Sequence, residues 1–178
     1  MDQAELKRVM GALGFAARKH EGQVRKDNET PYFAHPARVV TVLTLVFGVR
    51  DADTLTAAAL HDTIEDTTTD HDDLSERFGR PVADTVAWLT KDKRLPEPER
   101  EAAYFEGLCR APLAVKLCKL ADVFDNLMDS QSLTAERRRE KLAQARELLD
   151  AFTAELQADW GHALDAVRRQ IDETAKMV

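Results

Sequence analysis

The chain has 178 residues, 44% of them hydrophobic, with 25 Lys and Arg against 32 Asp and Glu for a net charge of −7. That length suits one domain around one core, and the acidic balance speaks against tracking a nucleic-acid polymer, which needs a basic face. No apolar run is long enough to span a bilayer, and 7 Gly and 6 Pro among plentiful Ala, Leu, Glu and Arg favour an all-α fold.

Met1 to Arg8 is charged and does not read as a signal sequence. Cys109 and Cys118, the only two cysteines, lack metal-site spacing and read as core thiols in a reducing cytoplasm. Glu5 to His20 is expected to be a helix with Leu6, Val9, Met10, Leu13 and Ala17 on its inner stripe, ended by Gly22. Glu21 to Ala34 follows as a loop, whose Arg25 and Lys26 read equally as solvated charge or as ligand contacts. Pro36 suits a first helical turn, so His35 falls at a rigid helix start, where a cap or a packed ring is the ordinary reading. This helix continues through Val39, Val40, Leu43 and Val46 to Gly48.

Asp51 or Asp53 can cap the next helix, and this one carries an unusual insertion of charge. After the apolar run Leu55 to Leu60 comes His61-Asp62-Thr63-Ile64-Glu65-Asp66. Residues four apart on a helix share a face, so His61 is placed over Glu65 and Asp62 over Asp66. Ionisable groups at the end of a buried helix are costly without compensation, and a divalent cation is the simplest compensation. An isolated His-Asp pair is usually structural, but the six-residue pattern arises by chance in roughly one chain in a thousand of this length, which favours a functional reading.

Further on, Asp70 to Phe78 is expected as a short helix stopped by Gly79, and Pro81 opens another with Val82, Val86 and Leu89 inward. Lys91 to Pro98 reads as a loop, because two prolines interrupt regular structure. Its Lys91, Lys93 and Arg94 can meet phosphate oxygens or simply face water. Glu99 to Cys109 is helical, and Pro112 opens a long apolar helix. Asp122, a lone carboxylate at the end of that buried stretch, needs a partner, and a metal is the obvious one; Asn126 lies one turn beyond it. Ala135 to Ala158 is amphipathic, with Arg137 at its basic start either overlooking a pocket or facing water, and a last helix follows Trp160.

Several of these stretches together resemble a known family. Phe15-Ala16-Ala17-Arg18-Lys19-His20, Arg25-Lys26-Asp27, Thr30-Pro31-Tyr32, His35-Pro36, Ala57 to Thr67, Thr90 to Pro96, Lys119-Leu120-Ala121-Asp122 and Asn126 stand in the order seen in HD-domain phosphohydrolases. Within them the likeness is to the hydrolase domain of the RelA/SpoT alarmone enzymes, in its small stand-alone form. It runs from about Leu6 to about Leu149, and the chain ends too soon for the synthetase domain of larger members. The resemblance implies a single HD-type helical bundle with a core over about residues 5–158. It implies His35 as first metal ligand beside His61, Asp62 and Asp122, with Mn²⁺ as the ion. Arg25 and Lys26 would lie on the nucleotide side and Asn126 on the ribose side. The substrate implied is guanosine 3′,5′-bis(diphosphate) or its pentaphosphate relative, hydrolysed to GDP or GTP and pyrophosphate.

Two nitrogens and two carboxylates suit a divalent ion that keeps open positions, and lack the thiolates common in closed structural zinc sites. Glu65 and Asp66 are expected to orient and deprotonate the attacking water, while Arg25, Lys26, Lys91, Lys93 and Arg137 hold phosphates. Relatives carry a basic residue, an apolar residue and then His or Tyr before the Asn, where this chain has Val123, Phe124 and Asp125. An aromatic position near Lys141 to Gln144 is also lost. Because those positions face the nucleotide in the family, an adenine analogue of the alarmone or the 2′-phosphate of NADPH stays open as the substrate. So does a different HD enzyme, a nucleotidase or nucleoside triphosphate hydrolase, against which Glu65-Asp66 and Arg25-Lys26-Asp27 argue. A non-catalytic nucleotide sensor and a helical adaptor are the readings from other classes.

Overall fold

A computed structural model describes residues 1–178. The chain is all-α, with a single isolated bridge between Val24 and Pro31 as its only extended pairing. Helix α1 covers Gln3–Lys19 and starts with a capping box, in which Asp2 accepts from the Glu5 N–H and Glu5 accepts from the Asp2 N–H. Its inward residues are Val9, Ala12, Phe15 and Ala16, whereas Leu6 is 47% and Met10 59% exposed. The expected stripe is therefore rotated. The cause is the neighbour: α1 lies on α3 (Ala52–Leu60), where Ala57, Ala58 and Ala59 are fully buried. Small residues on both helices let the axes approach, and bulky Leu6 and Met10 are turned outward.

Helix α2 (Ala34–Thr41) runs into a wider turn over Val42–Val46, where the Phe47 N–H reaches back to the Val42 carbonyl. Gly48 closes it at φ 73°, a conformation a side chain would disfavour. Asp51 caps α3 by accepting from the Thr54 N–H at 2.8 Å. The helix does not continue through the motif as expected. It stops at Leu60, Asp62 adopts φ −97° and ψ −3°, and α4 (Thr63–Asp66) resumes for one turn.

Helices α5 (His71–Phe78) and α6 (Arg80–Leu89) meet at Gly79, at φ 92°. Helix α7 (Glu97–Arg110) begins earlier than expected, with Pro98 inside its first turn, where the missing N–H has no partner to lose. Helix α8 (Leu113–Met128) crosses the interior with Val115, Leu117, Cys118, Leu120 and Ala121 buried. Its Lys116 is also buried and pairs with Glu155 of α9 (Ala135–Ala175), which breaks at Trp160 (φ −123°). A main core gathers side chains of α2, α3, α8 and α9, and a smaller one joins α1, α3, α5 and α6. Helices α2, α3 and α8 pack on one another, so the start of α2, the end of α3 and the second half of α8 come to one place. Cys109 and Cys118 are free thiols, the latter buried. No helix is long and apolar enough to cross a membrane.

Candidate functional site

His35, one residue into α2, is 1% exposed, and His61, just past α3, is 4% exposed. The Nδ1 of His61 lies 2.8 Å from the Ala58 carbonyl, which only accepts, so this nitrogen carries the proton and Nε2 turns inward. The Nε2 atoms of His35 and His61 are 3.1 Å apart. Asp62 Oδ2 is 3.1 Å from His61 Nε2 and 3.5 Å from His35 Nε2. These three ligand atoms all lie within 4.8 Å of one another. Asp122 Oδ1, from α8, stands 3.1 Å from His35 Nε2 and 3.9 Å from His61 Nε2.

The break in the helix explains how adjacent residues reach one point. On an unbroken helix neighbouring side chains diverge by about 100°. With Asp62 out of helical register, His61 and Asp62 converge instead. Ligands bound at about 2.1 Å and at right angles stand roughly 3 Å apart, which is the spacing of the closest pairs. The donor set fits a divalent cation of the kind that accepts imidazole and carboxylate together.

Charges around the centre are tightly paired. Burial alone would lower the pKa of His61, but Asp62 outweighs it and lifts the imidazole to about 9. Burial would raise the carboxyl of Asp122, but the Lys119 ammonium at 2.7 Å and His35 hold it well below the usual range. Asp62 is likewise depressed, chiefly by His61 against the cost of burial. Burial and the neighbouring Asp62 push the Tyr32 phenol up, so its hydroxyl stays protonated and donates to Asp62 Oδ2 at 2.7 Å.

A cavity of about 320 Å³ opens over this centre, lined among others by Arg25, Lys26, Glu65, Asp66, Lys91 and Asn126. Glu65 accepts from the Lys91 backbone N–H at 3.0 Å, and Asp66 accepts from Lys93 Nζ at 3.1 Å and lies 3.4 Å from the Tyr32 hydroxyl. Lys91 sends its ammonium to Glu101 at 2.7 Å. Arg25 donates to Asp129 at 2.9 Å and Asn126 at 3.0 Å, and Asn126 donates to Asp122 at 2.5 Å. Arg137 is not at the centre: it lines a separate neighbouring cavity with Lys26 and Lys141, and pairs with Glu140. Burial and repulsion from Arg25 and Arg137 lower the pKa of Lys26, and burial with repulsion from Lys26 lowers that of Lys141.

A second cavity of about 420 Å³ adjoins the first through Lys91, Tyr104, Lys119, Asp122, Asn126 and Lys141. Of Val123, Phe124 and Asp125, which precede Asn126, only Val123 lines it, and Lys141 and Gln144, which bound the stretch where the family aromatic is lost, line it too. Phe124 packs edge-on against Phe47, and Asp125 is fully buried against His35. Neither faces the cavity, contrary to what the resemblance implied. Sequence reasoning also gave no role to Arg38, Lys119 or Tyr104. Lys119 was the most accessible of these, as a cation one turn before a buried carboxylate.

The HD-domain family profile matches residues 12–157, and the chain belongs to that family. Within it the chain is similar to human MESH1, a guanosine-3′,5′-bis(diphosphate) 3′-pyrophosphohydrolase, with 39% identity over 97% of this chain and 93% of that one. The Xenopus tropicalis MESH1 is 41% identical over 76% of each chain. The bifunctional (p)ppGpp synthase/hydrolase SpoT of Escherichia coli K12 is 34% identical over 86% of this chain but only 22% of its own. Among solved structures, a metazoan orthologue of SpoT that hydrolyses ppGpp and plays a role in starvation responses superposes with a TM-score of 0.81. It is 36% identical and covers 92% of this chain and 94% of that one.

Proposed function

We propose that this protein is a Mn²⁺-dependent hydrolase that removes the 3′-diphosphate of guanosine 3′,5′-bis(diphosphate). The observation that supports this reading is the cluster of His35, His61 and Asp62, with Asp122 Oδ1 3.1 Å from His35 Nε2, beneath a cavity edged with cations. The names of the MESH1 relatives supply the substrate. A divalent ion held by those four residues supplies Lewis acidity at the phosphoryl group.

The protein's own groups do the rest. Glu65 and Asp66, anchored by Lys91, Lys93 and Tyr32, orient the attacking water and take its proton. Water displaces the ribose 3′ oxygen from the adjoining phosphorus. Pyrophosphate departs, the proton taken from the water returns to the 3′ oxygen, and GDP keeps a 3′ hydroxyl beside Asn126. Arg25, Lys26 and Lys91 neutralise phosphate oxygens from the cavity wall, Lys93 acts from outside it through Asp66, and Arg137 with Lys26 and Lys141 receives the far phosphates across the neighbouring cavity. The 420 Å³ cavity, walled by Phe105, Leu108, Val123 and Leu148, gives the nucleoside apolar room. Two free thiols fit a reducing cytoplasm.

The test is hydrolysis of ppGpp, pppGpp, ppApp and NADPH side by side, with and without Mn²⁺. Pyrophosphate released from the guanosine compounds only with metal is the expected result. Preferred release of single phosphate from NADPH, or turnover unaffected by chelation, would overturn it.

A further inference from the structure

Behind His35 lies a carboxylate that the reaction does not touch. Asp125 is 0% exposed, and its Oδ2 is 2.6 Å from His35 Nδ1, the nitrogen turned away from the cation site. Arg38, one turn along α2 from His35, clamps the same carboxylate, with Nε 2.6 Å from Oδ1 and a terminal nitrogen 3.1 Å from Oδ2. Arg38 also reaches Asp129 at 2.8 Å, which in turn holds Arg25. His35 and Arg38 share a face of α2, and Asp122 and Asp125 share a face of α8, with Asp129 capping its end one turn on. The facing rungs close a ring from His35 through Asp125, Arg38, Asp129, Arg25, Asn126 and Asp122 back to His35.

We propose that Asp125 is a positioning residue for the cation site. It fixes the proton of His35 on Nδ1, so that the Nε2 lone pair faces the other ligand atoms, and Arg38 fixes Asp125. The inference rests on the cation-site reading above. A ligand histidine depends on what its second nitrogen touches, and loss of that partner typically costs about 10- to 100-fold in metal affinity. His61 has a backbone carbonyl for this purpose. His35 has only a side chain, and a side chain can be changed.

Arg38 makes the test sharp. In Asp125→Asn, its Nε claims the amide oxygen, and the amide NH₂ is left facing His35 Nδ1. A donor there forces the ring proton onto Nε2, the wrong nitrogen for a ligand. Asp125→Ala removes the carboxylate but imposes no tautomer. A residue that only fills space would rank the isosteric Asn milder than Ala; the positioning role ranks Asn worse.

The experiment is calorimetric titration of the metal-free protein with Mn²⁺, with thermal melts in parallel and His61→Ala as control. Expected are loss of binding in His61→Ala, weakening of about 10-fold in Asp125→Ala and about 100-fold in Asp125→Asn. Arg38→Met added to Asp125→Asn frees the amide to turn over and recovers part of that loss, even if Asp125→Ala proves too unstable to titrate. Wild-type affinity in Asp125→Asn, or Ala weaker than Asn, overturns the role of Asp125 and leaves the cation site standing. Undiminished Mn²⁺ binding in His61→Ala instead removes the cation site, and this inference with it.

Discussion

Glu65 and Asp66 sit beside the ligand cluster, yet each is held by groups that are not ligands. Their removal is therefore expected to separate chemistry from metal loading. Glu65→Gln keeps an oxygen for the Lys91 N–H and Asp66→Asn keeps one for Lys93. Turnover should fall by about 10²- to 10⁴-fold in each, the usual worth of a positioned base, with metal content by elemental analysis unchanged. Loss of the metal would reassign them as ligands. Lys119 gives a second expectation. It lies 2.7 Å from the buried Asp122 carboxylate, so Lys119→Met leaves a buried charge with one neutraliser fewer. Metal should then bind at least as tightly, because the cation no longer competes, while the metal-free protein melts earlier. Unchanged melting would show that the pair carries no stability. His61 and Asp62 were legible in the sequence because two ionisable residues ended an apolar run. Asp125 and Arg38 were not, because 87 residues separate partners that meet only when α2 lies on α8.

At the scale of the helix, local signals read well and neighbours read poorly. The cap at Asp51, the stop at Gly48 and the proline starts of α2 and α6 follow from residue chemistry alone. The face of α1 does not, since hydrophobicity favours Leu6 and Met10 while the alanine surface of α3 selects Ala12 and Ala16. That contrast is testable. Met10→Lys should change stability by less than about 0.5 kcal/mol, as surface substitutions do. Ala12→Leu should cost about 1–3 kcal/mol by overpacking a contact with no spare volume. Denaturant unfolding of both variants checks the ranking, and the reverse order would put the sequence-based stripe back inside. The break after Leu60 was equally hidden. Nothing in the composition of His61-Asp62-Thr63 forbids a helix; at the break the His61 ring and the Thr63 hydroxyl bond the Ala58 and Leu60 carbonyls, contacts that composition does not announce.

For the whole molecule, the centre links stability to pH in opposite senses with and without metal. In the metal-free protein the pKa of His61 is raised from 6.5 to about 9. That stabilisation is fully present below about pH 6.5 and is lost as pH climbs through 9. The carboxyls of Asp62 and Asp122 are depressed from 3.8, so their contribution is present above about pH 4 and is lost on acidification. The metal-free protein should therefore be most stable between about pH 4 and 6.5 and weaken on the alkaline side. A bound cation needs the imidazole lone pairs free of protons, so the stability it adds grows across the same alkaline window. At a hundred times its dissociation constant it adds about 2.7 kcal/mol. Melting curves in EDTA and in Mn²⁺ should consequently diverge from pH 6.5 to 9, the first falling while the second holds. Parallel curves would mean that metal and proton do not compete for the same nitrogens, and that the cation sits away from His35 and His61.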